Sequence, residues 1–193
     1  MTDQYKAALR TTLKQVRANT SAQFRAKASL QVCNRIRALE PYRKAKHVAL
    51  YFAINGEVDL TPIWKTAPLH GKFCYFPIVN EDFTLTFLPA TPATSFKTNR
   101  FGILEPEVSI EHAKSPEELD LIIMPMVGFD IHCLRIGMGS GCYDRTLANK
   151  NNGILFGVAY QFQRLDFINA KPWDIPLNAV ITEKAIYWRY PAK

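Results

Sequence analysis

Residues 119–147 read LDLIIMPMVGFDIHCLRIGMGSGCYDRTL. The order is that of a buried strand, a loop, a glycine-rich turn and a helix start. Leu121-Ile122-Ile123-Met124 is a short continuous apolar run, the pattern of a strand covered on both faces. Gly137, Gly139 and Gly141 follow at alternate positions, and Cys142-Tyr143-Asp144-Arg145 comes next. Alternate glycines let backbone N–H groups point at one spot without Cβ interference, which suits phosphate oxygens. A helix starting there adds its positive end. Asp144 offers a carboxylate to a bound cation, and Arg135 and Arg145 offer charge to phosphate. The spacing is neither the dinucleotide Gly-x-Gly-x-x-Gly nor the lysine-containing P-loop, so the glycines alone also fit a plain turn.

Working outward, residues 3–18 read as a helix. Tyr5, Leu9, Leu13 and Val16 form its apolar stripe, with Lys6, Arg10, Lys14 and Arg17 as an adjacent basic stripe. Thr20 with Gln23 fits a capping box for a second helix, whose buried face is Phe24, Ala28, Val32, Ile36 and Leu39, and Pro41 limits it. Residues 47–54 read as a strand before an Asn55-Gly56 turn. A short helix starts near Thr61-Pro62. Strands are expected at 73–77, 84–88, 153–159 and 179–182, with a last edge strand at 185–190. Residues 89–102 read as a polar loop, 115–118 as a helix start and 142–149 as a helix.

Strands alternating with helices predict an α/β fold: a mostly parallel central sheet with helices on both faces, an N-terminal helical pair, and a Rossmann-like three-layer architecture. A single domain over 1–193 is expected, with the basic helices of 1–40 packed on it. Ligands in such sheets bind outside the C-terminal ends of the strands. Glu57, the glycine loop and Asp174 all fall in or near expected loops there.

Composition narrows the class. The chain has 193 residues, 48% apolar and 21% charged, ordinary for a globular protein. No signal peptide or membrane span is legible, and the four cysteines and four histidines show no ligand spacing. A reduced, cytoplasmic protein is expected. The net charge of +7 is uneven: residues 1–46 carry eleven Lys/Arg against two acids, the rest thirteen against fifteen. An anionic partner fits, whether nucleic acid or ATP with an acidic substrate; a solvated basic face fits too.

The string from Pro125 to Arg145 resembles the signature of the 5-formyltetrahydrofolate cyclo-ligase family (5,10-methenyltetrahydrofolate synthetases). That signature reads Pro-x-x-x-Phe-Asp, a short gap, then Arg-Leu-Gly-x-Gly-x-Gly-Tyr-Tyr-Asp-Arg. This chain has Pro125, Phe129, Asp130, Arg135, Gly137, Gly139, Gly141, Tyr143, Asp144 and Arg145, with Ile136 for leucine and Cys142 for the first tyrosine. Four more segments are similar in order: Lys6-x-x-x-Arg10; Leu50-Tyr51-Phe52 with Gly56-Glu57-Val58-Asp59; Phe101-Gly102-Ile103-Leu104-Glu105-Pro106; and Trp173-Asp174-Ile175-Pro176-Leu177 with Val180-Ile181-Thr182.

The resemblance implies conversion of ATP and 5-formyltetrahydrofolate, with magnesium, to 5,10-methenyltetrahydrofolate, ADP and phosphate through a phosphorylated formyl group. It implies that Lys6, Arg10, Arg135, Ile136, Gly137, Met138, Gly139, Ser140, Gly141, Cys142 and Tyr143 bind ATP. Phe52, Glu57, Met138, Gly139, Ser140, Gly141 and Cys142 would contact the folate, Asp144 and Asp174 would hold magnesium, and Arg135, Tyr143 and Arg145 would be catalytic. Asn178 stands where the family often has a second acid. A monomer acting on small molecules is expected, with no nucleic-acid or membrane partner. Plainer readings stand beside these. Asp144 fits a helix cap or a pair with Arg145, Asp174 a turn, Glu57 a solvated turn, Phe52 the core, Tyr143 a helix anchor, Cys142 a structural thiol, and Lys6 with Arg10 a soluble surface. Two other functions fit as well: a nucleic-acid-binding module using the basic helices, and another nucleotide-dependent transferase.

Overall fold

The computed structural model describes residues 2–148 and 153–189. Helix α1 spans Asp3–Ala18, capped by the Thr2 side chain, which accepts from the Tyr5 amide. Helix α2 spans Ala22–Ala38. Its cap is Ser21, not the expected Thr20: the Ser21 hydroxyl accepts from Phe24 N at 3.1 Å, while the Thr20 hydroxyl donates back to Arg17 O at 2.7 Å. Pro41 sits in the first turn of a separate helix, α3 (Glu40–Lys44), where its missing N–H costs nothing.

The remaining elements are β1 (His47–Ala49), α4 (Thr61–Thr66), β2 (Phe73–Val79), β3 (Leu85–Pro89), β4 (Phe96–Thr98), β5 (Leu104–Pro106), β6 (Leu121–Pro125), β7 (Gly128–Phe129), β8 (Arg135–Ile136), α5 (Cys142–Leu147), β9 (Ile154–Val158), β10 (Ala179–Ile181) and β11 (Ile186–Trp188). The main sheet has seven strands in the order β11-β10-β9-β6-β1-β2-β3. β1 runs parallel to β2 and β6, β6 to β9, and β9 to β10; β3 and β11 are antiparallel edges. The apolar run 121–124 is the centre of this sheet and is fully buried.

Alternation along the central strands supplies two cores. Val48, Leu121, Ile123 and Phe156 face Val32, Ile36 and Ile63 of α2 and α4. Ala49, Ile122, Met124 and Val180 face the other way, toward Leu147 of α5 and Phe129 of β7. Each of these buried side chains other than Ala49 contributes roughly 2 kcal/mol.

Several expectations need correction. The strand expected at 47–54 ends at Ala49. Beyond it the chain folds on itself: Tyr51 Oη donates to Val58 O at 2.6 Å, and Ile54 N donates to Glu57 Oε2 at 3.2 Å. The polar loop expected at 89–102 contains β4, paired with β5 as a separate hairpin. The helix start at 115–118 is a single 3-10 turn. The expected element ends at Asn149 and Tyr190 lie outside the described residues.

Helix α1 buries only the middle of its expected apolar stripe, with Leu13 in a small core cluster and Leu9 packed against it. Tyr5 and Val16 are 54% and 43% exposed, whereas Lys6 and Arg17 are 7% and 1% exposed. The basic stripe points inward because carbonyls and carboxylates wait there. Lys6 reaches Asp174, Arg10 reaches Gly137 O, and Arg17 reaches Asn55 O and Met126 O. Three of the four cations of the basic stripe are therefore engaged by the protein itself. No helix among the described residues is long and apolar enough to cross a membrane.

Candidate functional site

The chain runs from β1 outward to β3, then crosses back to β6 and runs outward to β11. The sheet thus reverses direction between β1 and β6, and a crevice forms outside the ends of those two strands. A cavity of about 1180 Å³ lies there, lined by Tyr51 and Phe52 after β1 and by Pro125 at the end of β6. Every residue expected at the site from sequence lines this cavity: Lys6, Arg10, Phe52, Glu57, the run 135–145, and Asp174.

Local chemistry explains how each arrives. Asp130, fully buried, accepts from His132 N at 2.9 Å and Leu134 N at 3.1 Å through Oδ1 and from Ile168 N at 2.9 Å through Oδ2. That turn closes the β7–β8 ribbon and delivers Arg135 to the cavity wall. Gly139 and Gly141 have φ of 117° and 70°, values that a side chain would strain. Gly141 is the residue before α5, so the alternative of Asp144 as helix cap does not hold.

Asp144 pairs with Arg135, not with its neighbour Arg145. Arg135 Nη2 lies 2.7 Å from Asp144 Oδ1, and Ile175 N donates to the same oxygen at 3.1 Å. Asp174 Oδ2 accepts from Lys171 N at 2.9 Å and faces Lys6 Nζ at 3.4 Å. The described bonds thus engage one oxygen of each carboxylate, leaving Asp144 Oδ2 and Asp174 Oδ1 for another ligand. No group of three or more metal-type side chains occurs among the described residues. Magnesium does not require one, since it is commonly held by one or two carboxylates together with waters and phosphate oxygens.

Two cations of the cavity wall differ from Lys6, Arg135 and Lys171, which face carboxylates. Arg10 Nε donates to Gly137 O at 2.9 Å, and Arg145 Nη1 donates to Ser140 O at 3.2 Å and Phe83 O at 3.3 Å. Neither has a carboxylate within ion-pair distance among the described residues. They stand at the two ends of the glycine loop with no carboxylate in contact, Arg145 acting on Asp82 only from beyond that distance.

The opposite part of the cavity is aromatic. Phe52 is half-buried, stacked on Phe76 at 4.2 Å and edge-on to Trp64 at 5.5 Å, so it is both core and wall. Glu57 is not a solvated turn residue. It is 7% exposed, burial pushes its carboxyl up from the usual range, and Arg17 opposes that shift. Burial pushes the Tyr143 phenol up strongly, with the Glu57 charge adding to it, so this group is a neutral donor. The ring also packs against the core around Leu147, which anchors α5. Cys142 is half-buried, its Sγ 3.2 Å from Ser140 Oγ.

Sequence reasoning missed part of the wall. Phe101, Ile103 and Leu104 reach the cavity from the β4–β5 hairpin, and Trp173 and Lys171 from the segment before β10. The 101–106 string and Trp173 were visible as similar segments, but nothing in their residue types marked them as lining. Arg17 was visible only as the last member of the basic stripe.

Comparison with known proteins places these features in context. The profile of the 5-formyltetrahydrofolate cyclo-ligase family matches residues 2–183. A 5-formyltetrahydrofolate cyclo-ligase of Haemophilus influenzae is 36% identical over 186 residues, covering 94% of this chain and 99% of that protein. The NMR structure of the Aquifex aeolicus 5,10-methenyltetrahydrofolate synthetase superposes with a TM-score of 0.85 at 34% identity, covering 97% of this chain and 94% of that one. A 5,10-methenyltetrahydrofolate synthetase from Mycoplasma pneumoniae gives 0.76 at 26% identity, covering 92% and 98%.

Proposed function

The chain belongs to the 5-formyltetrahydrofolate cyclo-ligase family and is a ligase of that class, and from this premise we propose that it converts 5-formyltetrahydrofolate to 5,10-methenyltetrahydrofolate with ATP and magnesium, releasing ADP and phosphate. One observation carries the reading: a single cavity at the β1–β6 crossing holds an aromatic and carboxylate wall, a glycine loop with unmatched arginines at both ends, and two carboxylates that each keep an oxygen available.

A formamide is a poor electrophile, and its oxygen is a poor leaving group. Transfer of the γ-phosphoryl group to the formyl oxygen corrects both. The nitrogen at position 10 then attacks the activated carbon, and the C–O bond breaks with release of phosphate. Such transfer is mainly positioning and charge neutralisation, so the protein needs no nucleophile. Lys6, Arg10 and the run from Arg135 to Tyr143 (Ile136, Gly137, Met138, Gly139, Ser140, Gly141 and Cys142 between them) hold the nucleotide. The loop backbone at 138–142 also meets the folate. Asp144 and Asp174 hold magnesium, which when bound neutralises phosphate charge. Arg135 acts through Asp144, which it orients; Arg145 offers charge to the phosphoryl group and Tyr143 a neutral hydroxyl. Phe52 stacks on the pterin and Glu57 accepts from its N–H groups. The reading includes a cytoplasmic setting, which the free cysteines support, and a monomer, which sedimentation would test.

The experiment is absorbance in the methenyl-folate band, with purified protein, 5-formyltetrahydrofolate and magnesium, with and without ATP. An ATP-dependent rise is expected. A folded protein that binds ATP and gives no rise would remove the reading in favour of another nucleotide-dependent transfer.

A further inference from the structure

Arg17 has been given no ligand, yet its side chain is only 1% exposed. From α1 it reaches both strands of the crossing point. Nε donates to Asn55 O at 3.0 Å, in the turn after β1, and Nη1 donates to Met126 O at 3.2 Å, just beyond β6. These two bonds fix the plane of the guanidinium. The remaining nitrogen, Nη2, has no hydrogen bond of its own and lies 3.5 Å from Glu57 Oε1. A buried charged nitrogen left this way is costly unless a carboxylate faces it.

Glu57 is held from several sides. Its Oε2 accepts from Ile54 N at 3.2 Å, and its carbonyl accepts from Tyr160 Oη at 3.2 Å. The ionisable groups that act on it are Arg17 from α1, Tyr51 after β1, Tyr143 from α5 and Tyr160 after β9. The three phenols are neutral, each pushed up by burial. Arg17 alone among these groups favours the ionised carboxyl.

We propose that Arg17 is a positioning residue for substrate recognition: its guanidinium, clamped by Asn55 O and Met126 O, holds Glu57 as an oriented carboxylate at the cavity wall. The matching ligand chemistry is a flat heterocycle whose edge carries adjacent N–H donors, a ring N–H beside an exocyclic amine. A carboxylate accepts from both, whereas a protonated carboxyl presents a donor of its own and mismatches one. The inference rests on the folate reading of Glu57 and extends it to a residue outside the cavity lining.

The test is calorimetric titration of the intact protein with 5-formyltetrahydrofolate and, separately, with ATP and magnesium. Wild type, Arg17→Met, Glu57→Gln and the double variant are compared across neutral pH. Arg17→Met is expected to weaken folate binding about tenfold or more, with ATP affinity within about twofold of wild type. Its folate affinity should improve as pH rises, more steeply than that of wild type. In the Glu57→Gln background the same change should cost less than about threefold. Equal losses in both backgrounds, an unchanged pH profile, or wild-type affinity in Arg17→Met would each overturn the proposal.

Should Arg17→Met fail to fold, the carboxyl resonance of Glu57 in carbon-13-labelled wild type, assigned by its loss in Glu57→Gln, decides the matter. A carboxylate shift at about pH 7.5 is expected; a protonated carboxyl there overturns the pairing. A wild type that binds no 5-formyltetrahydrofolate while showing the carboxylate shift would instead sink the folate reading.

Discussion

Asp144→Asn separates the structural and chemical roles of one side chain. The amide keeps the shape and retains an oxygen to accept from Arg135 Nη2 and Ile175 N, the two groups now at 2.7 and 3.1 Å from Oδ1. What disappears is the charge. A charge-assisted bond weakens to a neutral one, a loss of about 1–1.5 kcal/mol. The Arg135 guanidinium, whose side chain is 5% exposed, keeps its bond to Ile175 O, so no buried cation is left wholly unpaired. For a chain of this size the melting temperature should fall by about 2–6 °C. The chemical step should suffer far more. Loss of an electrostatic contact at the transferring group costs on the order of 100- to 1,000-fold in kcat, or roughly 2.7–4 kcal/mol. A circular-dichroism melt reads the first quantity, and the initial rate in the methenyl band at several magnesium concentrations reads the second. The magnesium concentration for half-maximal rate should rise. Turnover within about threefold of wild type, at an unchanged magnesium requirement in a folded protein, would refute Asp144 as a cation ligand and leave it as a brace for Arg135.

Other perturbations test neighbouring links. Arg10→Ala removes the bond to Gly137 O and one unmatched cation, so the KM for ATP should rise about tenfold with a smaller change in the KM for folate; steady-state rates against each substrate would tell, and a folate-only effect would contradict the assignment. Gly128→Ala puts a Cβ 2.9 Å from Leu13 Cδ1 and 3.2 Å from Leu165 Cδ1. Overpacking of about 1–3 kcal/mol should lower the melting temperature in a thermal melt; an unchanged melt would refute the close approach of α1 to Gly128. Burial raises Glu57 above its ordinary 4.5, so the folded protein holds that proton more tightly than the unfolded chain. The stabilisation from that proton is complete below the ordinary value and is lost as pH rises through the raised one. The melting temperature of Glu57→Gln relative to wild type should therefore climb between about pH 4 and neutrality, and a flat difference would refute the raised carboxyl.

The elements legible in the sequence are those whose signal is local. The apolar run 121–124 marks a strand buried on both faces, and its pairing with β1 and β9 follows. The helix at 3–18 shows its period, and its length agrees with α1. The shorter pieces were hidden for a physical reason. β4 and β5 have three residues each, and Phe96-Lys97-Thr98 is too short and too polar to show alternation. β7 and β8 pair through two residues each, and their geometry comes from the buried Asp130 rather than from any β-propensity. The early end of β1 is likewise a tertiary matter, since Tyr51 and Glu57 fold the following turn back on itself.

The candidate site shows the same division. Residue types and order pointed to the cavity-lining side chains, but not to which charge meets which. Periodicity put the apolar stripe of α1 inward; the structure keeps Leu9 and Leu13 of it against the core and adds Lys6 and Arg17, whose charges meet carboxylates of the crevice. Three of the site's carboxylates are then matched one to one: Asp174 to Lys6, Glu57 to Arg17, and Asp144 to Arg135. Two of those three cations come from α1. Part of the uneven charge along the chain is therefore complementary to the site's acids. Arg10 and Arg145 stand outside that matching, and among the described residues their hydrogen bonds go to neutral carbonyls around the glycine loop. Carbonyls do not cancel a guanidinium's charge, so the loop that offers backbone N–H groups also carries the site's surplus positive charge. That surplus depends on α1 being docked, which makes the N-terminal helix part of the phosphate site and not only a cover for the sheet.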